Sequence, residues 1–146
     1  ALETASPIAD KLKIPIITRF GLIEVDYGEW QGEKISRLRR RKGWKTVQIE
    51  PSRMLFPNGE MITQAQNRIV QDLNEIAASH KKNDIVVCVS HSDPIKLAVA
   101  NYIGLPLDRY QSLQIAPASI TALHIDRDKG RLITMNYQPF THLLKS

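Results

Sequence analysis

Apolar residues along this chain recur either at helical spacing or in short β-branched runs. The clearest helix is predicted over residues 60–79, where apolar positions return every three or four residues. That stripe consists of Ile62, Ala65, Ile69, Leu73 and Ile76. A second helix is predicted over residues 1–12, in which Pro7 either kinks the helix or stands first after Ser6 as N-cap. A third, strongly basic helix is predicted over residues 33–41.

The β-branched runs predict strands at residues 14–19 and 86–89. The second run is short and continuous, which is typical of a parallel strand buried on both faces. Asp93 follows as the predicted N-cap of a helix, and Pro94 as its first residue, because proline has no N–H to donate. Gly104 marks the end of that helix.

The last part of the chain predicts a β-hairpin, with strands at residues 119–125 and 131–137 joined by residues 126–130. Residues 21–32 and 43–58 are rich in turn signals and are predicted to be irregular, and residues 138–146 are left unassigned. The order of helices and strands indicates a layered α/β fold.

Composition narrows the class of protein. The 146 residues are 42% hydrophobic and 24% charged, as expected for one globular domain. We find neither an apolar run of membrane-spanning length nor a signal peptide, so we expect a cytoplasmic protein without a membrane partner. Cys88, the single cysteine, is predicted to be an inert core thiol. The chain begins without Met, so we expect it to be processed or incomplete.

The net charge of +5 comes largely from basic residues between positions 34 and 45. We interpret this run as a solvated helix face. Steering of an anionic small molecule is the alternative, and nucleic-acid binding is the least favoured one. No zinc-ligand spacing, RNA-binding signature or aromatic platform accompanies the arginines, so we expect no nucleic-acid partner.

His91 is the first candidate for chemistry. It is predicted to lie where a strand's carboxyl end meets a helix N-terminus, the crevice in which α/β sheets bind ligands. Free N–H groups and the helix dipole favour an anion there. A phosphate or carboxylate site is therefore predicted, and a merely hydrogen-bonded turn histidine is the alternative.

Three separated segments carry a family resemblance. Residues 22–32, LIEVDYGEWQG, resemble the pattern L-x-E-x-x-x-G-x-W-x-G. Residues 57–61, PNGEM, with Arg68 beyond them, resemble P-x-G-E-S followed by an arginine on the next helix. Residues 90–96, SHSDPIK, resemble the turn S-H-G-x-x-I-R, and residues 2–9 are similar to a further helix of the same family. The chain thus resembles the histidine phosphatase superfamily, also called phosphoglycerate-mutase-like.

The chain departs from the family pattern in several places. Met61 stands for Ser, Ser92 for Gly and Lys96 for Arg, and neither the Arg-His-Gly motif nor the second phosphate-binding Arg has a counterpart. We therefore expect residues 1–146 to form a single domain, the C-terminal two-thirds of a family domain. The resemblance implies a three-layer α/β/α fold with a mostly parallel sheet, lacking its first strand. Such a chain would need a homodimer partner or a complementing N-terminal fragment to cover the open edges.

The resemblance also implies phosphoryl transfer through a phosphohistidine that the missing segment supplies. His91 then corresponds to the second histidine and Glu24 to the acid that protonates the leaving oxygen. His91 and Ser92 are the expected phosphate-binding residues, and no metal or cofactor is implied. We expect partial burial to raise the pKa of Glu24; without the resemblance it reads as a surface carboxylate. Glu60 is interpreted as a first-turn acid that complements the helix dipole.

These expectations leave three functions open. Hydrolysis of a small phosphorylated substrate is favoured, because only residues 33–55 separate the first two motifs, whereas phosphoglycerate mutases usually carry long insertions there. A phosphoglycerate mutase is the first alternative. A catalytically inert binding module is the second, since this chain lacks the nucleophile.

Overall fold

The computed structural model describes residues 1–126 and 129–139. In chain order the helices are α1 (Leu2–Leu12), α2 (Ile35–Leu38), α3 (Trp44–Ile49), α4 (Ile62–Ser79) and α5 (Ser92–Tyr102). The strands are β1 (Ile120–Asp126) and β2 (Lys129–Tyr137). Within the described ranges four 3₁₀ turns lie between these elements, at Phe20–Leu22, Gly28–Trp30, Pro51–Arg53 and Leu107–Ser112.

Helices α4 and α5 pack on each other and form the centre of the core. The predicted stripe of α4 is confirmed, with Ile62 and Ala65 fully buried and Ile69 nearly so. Helix α4 begins at Ile62 because the Met61 N–H donates to the Gln64 side chain at 2.8 Å, which closes the first turn. Glu60 therefore precedes the helix, and its interpretation as a first-turn acid is wrong.

Helix α5 begins earlier than predicted. His91 is the N-cap residue, and its carbonyl accepts a hydrogen bond from the Ile95 N–H at 3.2 Å. Asp93 is thus the second residue of the helix rather than its cap, and Pro94 is the third. The predicted end is confirmed, since α5 stops at Tyr102 and Gly104 adopts a left-handed φ of 68°.

Of the remaining helices, α1 agrees with its predicted bounds, α2 is shorter than predicted and α3 is not predicted by the pattern. Helix α1 runs through Pro7 without interruption, and the Ser6 hydroxyl donates to the Leu2 carbonyl at 3.0 Å, so Ser6 is not an N-cap. The basic helix predicted over residues 33–41 shrinks to the four residues of α2. The segment predicted to be irregular contains α3, because Val47 turns inward and is buried.

Strands β1 and β2 pair antiparallel, which confirms the hairpin, and they include residues 126, 129 and 130 of the predicted connection. Residues 127 and 128 of that connection lie outside the described part. Within the described residues these two strands make up the sheet, and residues 14–19 and 86–89 form no ladder. The mostly parallel sheet therefore stays a prediction. Val86 and Val87 are 43% and 56% exposed, so the prediction that the second run is buried is wrong. Cys88 is exposed as well, so the prediction that it is a core thiol is also wrong. A strand buries its side chains only when neighbouring strands and helices cover them.

Candidate active site

The three motif segments converge on the N-terminus of α5. Two hydrogen bonds join the first segment to the third. The Ser90 hydroxyl donates to the Leu22 carbonyl at 2.7 Å, and the Tyr27 hydroxyl donates to Asp93 Oδ2 at 2.7 Å. These contacts bring the loop that carries Glu24 beside the turn that carries His91 and Ser92.

The first and second motif segments lie backbone against backbone. The Glu29 N–H donates to the Pro57 carbonyl at 2.9 Å, and the Glu60 N–H donates to the Asp26 carbonyl at 3.0 Å. Gly28 combines a φ of 51° with so close an approach that a Cβ would collide with the Pro57 carbonyl oxygen. This motif glycine is thus needed both for its backbone conformation and for its lack of a side chain.

Arg68 of α4 anchors the first motif segment by hydrogen bonds to its backbone. Its guanidinium donates to the carbonyls of Gly21 at 2.8 Å, Ile23 at 3.1 Å and Glu24 at 3.0 Å. The same group pairs with the Glu60 carboxylate, at 3.0 Å from Nε and 2.6 Å from Nη2. The sequence pattern shows Arg68 and Glu60 only as parts of a motif. It does not reveal that Arg68 binds three backbone carbonyls, because every residue has a carbonyl group.

Glu24 is half-buried, and its Oε1 accepts a hydrogen bond from the Val25 N–H at 2.9 Å. Burial raises the pKa of the Glu24 carboxyl and is the largest influence on it. The Val25 N–H, His91 and Arg68 act in the opposite direction, and the negative charge of Asp93 adds to the increase. The expected direction is thereby confirmed, and Glu24, His91 and Asp93 lie within electrostatic reach of one another.

His91 and Ser92 occupy the N-cap and first positions of α5, and both are half-buried. The first amides of a helix have no acceptor within it, and the helix dipole adds positive potential at that end. The imidazole and the Ser92 N–H and hydroxyl therefore stand at a position suited to an anion. Their roles as catalytic and phosphate-binding residues stay predictions.

Asp93 is the centre of a network that the sequence did not reveal. Its carboxylate accepts hydrogen bonds from the hydroxyls of Tyr27 at 2.7 Å and Tyr110 at 3.2 Å, and from Lys96 Nζ at 3.2 Å. Burial, together with the Asp93 charge, raises the pKa of both tyrosines, so both hydroxyls remain donors. The network fixes one wall of the site, and Lys96 offsets the charge of Asp93 there.

The described residues contain neither a metal-binding cluster nor a membrane-spanning helix, and the basic run is exposed. Among residues 1–126 and 129–139, no three His, Cys, Asp or Glu side chains approach closely enough to share a metal ion. In the same ranges no helix has the length and apolar content needed to cross a membrane. Basic side chains at positions 37 and 39–42 are exposed around the buried Leu38, as expected for a solvated face.

Known proteins resemble this chain over nearly its whole length. Phosphoserine phosphatase 1 of Hydrogenobacter thermophilus is 26% identical over 135 residues, which cover 91% of this chain and 64% of that protein. The 2,3-bisphosphoglycerate-dependent phosphoglycerate mutase of Thermoplasma acidophilum is 29% identical over 137 residues, covering 92% of this chain and 62% of that protein. The chain thus spans just under two thirds of the length of these curated relatives.

Solved structures share the fold. YhfR of Bacillus stearothermophilus superposes with a TM-score of 0.85 at 23% identity, covering 94% of this chain and 69% of that one. A mycobacterial glucosyl-3-phosphoglycerate phosphatase superposes with a TM-score of 0.82 at 23% identity, over 94% of this chain and 71% of that one. Residues 1–138 also match the sequence profile of the histidine phosphatase superfamily (branch 1). This chain therefore belongs to the histidine phosphatase superfamily.

Proposed function

We propose that this chain supplies the proton donor and the second histidine of a phosphomonoesterase. The supporting observation is the half-buried Glu24 carboxyl, whose pKa is raised and which is within electrostatic reach of His91 at the N-terminus of α5. A general acid must still hold its proton near the working pH, and partial burial favours this.

The proposed reaction begins when a histidine from a segment outside these 146 residues attacks the phosphorus atom. Charge on the transferring phosphoryl group is stabilised by donors that already point at it, here His91 and the first amides of α5. Glu24 gives its proton to the leaving oxygen as the ester bond breaks. The resulting Glu24 carboxylate then takes a proton from the water that cleaves the phosphohistidine, which restores the acid.

Hydrolysis is favoured over phosphoglycerate mutation because the segment between the first two motifs is short. The similarity to phosphoserine and glucosyl-3-phosphoglycerate phosphatases also supports hydrolysis, whereas the similarity to a phosphoglycerate mutase keeps that second candidate open. Substrates are thus small phosphorylated molecules. For this polypeptide by itself, we propose that no phosphohistidine forms, since its nucleophile lies elsewhere.

The test is a phosphatase assay of the full-length gene product on p-nitrophenyl phosphate, phosphoserine and phosphoglycerates. Glu24→Gln should lower kcat on the alkyl phosphates by about 10²–10⁴-fold, the usual contribution of a general acid. His91→Ala should reduce turnover of all of these substrates. Glu29→Gln is the matched control, because this exposed carboxylate lies in the same loop and should leave activity unchanged. A wild-type protein that hydrolyses none of these esters would refute the proposal.

The proposal for the isolated chain is tested by incubation with a labelled phosphodonor, followed by analysis for acid-labile phosphate. We expect no label on these 146 residues. Label retained on His91 would show that this histidine is itself a nucleophile.

A further inference from the structure

The ion pair between Arg68 and Glu60 binds the peptide backbone on both sides of Val25. Arg68 donates to the carbonyls of Ile23 and Glu24, on one side of the Val25 peptide. On the other side, Glu60 Oε1 accepts the Asp26 N–H at 2.9 Å. Val25 between them is fully buried, so this short stretch is anchored by its backbone and its side chain together.

The pair itself is largely removed from water. The side chains of Arg68 and Glu60 are 16% and 17% exposed, and two of their atom pairs lie within 3.0 Å. A guanidinium offers five N–H donors in a fixed plane, which is why one Arg68 side chain serves a carboxylate and three carbonyls at once. A lysine keeps the charge but does not reproduce this geometry.

The position of the pair also matters electrostatically. The Arg68 charge acts on the Glu24 carboxyl and opposes the effect of burial on its pKa. Glu60 neutralises that charge at close range. Without the Glu60 carboxylate, the cation would favour ionised Glu24, which is the form that has no proton to give.

We propose that Glu60 and Arg68 are positioning residues for the Glu24 carboxyl: they fix the backbone of residues 23–26, and Glu60 offsets the Arg68 charge beside it. The inference rests on the proposed role of Glu24 as proton donor. Neither Glu60 nor Arg68 touches the reacting atoms in this account; both act through Glu24.

The experiment compares Glu60→Gln and Arg68→Lys with the wild type in the full-length gene product. The first readout is the pKa of Glu24, followed by carboxyl ¹³C NMR and assigned with Glu24→Gln. The second is kcat on an alkyl phosphate relative to p-nitrophenyl phosphate. An alkoxide needs a proton in order to leave, whereas p-nitrophenolate leaves without one, so only the alkyl ester reports on the acid.

Glu60→Gln is expected to lower the pKa of Glu24 and to reduce kcat on the alkyl phosphate about tenfold more than on p-nitrophenyl phosphate. Arg68→Lys should give the same selective loss, because the carbonyl contacts are lost while the charge stays. An equal loss on both substrates with an unchanged Glu24 pKa would overturn the proposal. If Glu60→Gln does not fold, Arg68→Lys decides by the substrate ratio alone, and an equal loss on both substrates would then overturn the proposal.

Arg19→Lys is the matched control. Arg19 precedes the same loop, but its side-chain hydrogen bonds and ion pairs go to Asp72 and Glu75 of the same helix and not to residues 23–26. It should leave the substrate ratio and the Glu24 pKa unchanged, and a shift like that of Glu60→Gln would contradict a specific role for the pair. Failure of the proposed function can be distinguished from failure of this inference. If Glu24 is not the proton donor, Glu24→Gln will not reduce alkyl phosphate hydrolysis, whatever the NMR titration shows.

Discussion

Two regions of this molecule are built from similar apolar residues but end in opposite environments. In the site region, formed by residues 21–32, 56–68 and 90–96, Val25 and Ile62 are fully buried, although Ile23 at its surface is 44% exposed. In the edge region, formed by residues 14–19 and 84–89, Ile17 and Ile85 are 77% and 93% exposed. The site region satisfies its backbone through Arg68, Glu60 and close glycine contacts, whereas the edge region has no ladder within the described residues. Partners for the backbone, more than apolar content, therefore decide which segment is buried.

The test with the largest expected effect replaces one isoleucine by alanine in each region. Ile62→Ala should lower the free energy of unfolding by about 2–5 kcal/mol, because it leaves a cavity in a packed core. Ile85→Ala should change it by no more than about 0.5 kcal/mol. Urea unfolding of this chain measures both values.

An equally large loss from both substitutions would contradict the contrast and would mean that a second copy covers the edge in solution. The same two substitutions in the full-length gene product sharpen the comparison. If residues outside these 146 cover the edge region in that product, Ile85→Ala will lower the free energy of unfolding substantially. The loss caused by Ile62→Ala will be the same as in this chain.

A second test concerns the glycines of the site loop. Gly28→Ala should cost at least about 2 kcal/mol of stability, since it adds a collision with the Pro57 carbonyl to the strain of a positive φ. Gly32→Ala is the control, because its φ is 72° but the space around it is open. That variant should lose only the strain, about 1–2 kcal/mol. Equal losses in chemical denaturation would show that the two loop segments do not lie so close together.

A third test compares two partly buried tyrosine hydroxyls. Tyr27→Phe removes a donor to the Asp93 carboxylate and should cost about 1.5–3 kcal/mol. Tyr102→Phe removes a donor to the neutral Asn74 side chain, at the same 2.7 Å, and should cost about 0.5–1.5 kcal/mol. Thermal unfolding of the two variants measures which of them loses more stability. A larger loss in Tyr102→Phe than in Tyr27→Phe would indicate that Asp93 is not the charged centre of the site wall.

The elements predicted correctly from the sequence are those whose buried face follows from their own pattern of apolar residues. Helices α4 and α5 and the hairpin emerged nearly as expected, because their apolar spacing and end signals are local. The runs at residues 14–19 and 86–89 did not become strands here, since a strand needs a neighbour that its own residues do not specify. Helix α3 was missed because its six residues are too few to show a clear period.

The site was predictable in part. The family resemblance implied Glu24, His91 and Ser92, and the position of His91 between a strand and a helix pointed to it independently. The structure brings these residues around the N-terminus of α5. The support beneath them was not predictable, because Arg68 binds carbonyl oxygens, which every residue has. Asp93 was predicted as a helix cap, and only the distant Tyr27 and Tyr110 show why its carboxylate lies elsewhere.

The smallest expected effect is a change in stability with pH, and its sign distinguishes a carboxyl whose pKa is raised by burial from one whose pKa is lowered by favourable contacts. Burial raises the pKa of Glu24, so the unfolded chain gives up this proton first, and stability falls as pH rises from the unfolded pKa to the folded one. Glu24→Gln should therefore be more stable than the wild type at about pH 7 and equal to it at about pH 3. Hydrogen bonds from Gln71 and Arg19 lower the pKa of Glu75, so Glu75→Gln should be less stable at about pH 7, with the difference again vanishing in acid. Denaturant midpoints across this pH range measure both. A loss of stability in Glu24→Gln at neutral pH would mean that this carboxylate is held by favourable contacts, as in a structural ion pair, and is not poised to keep a proton.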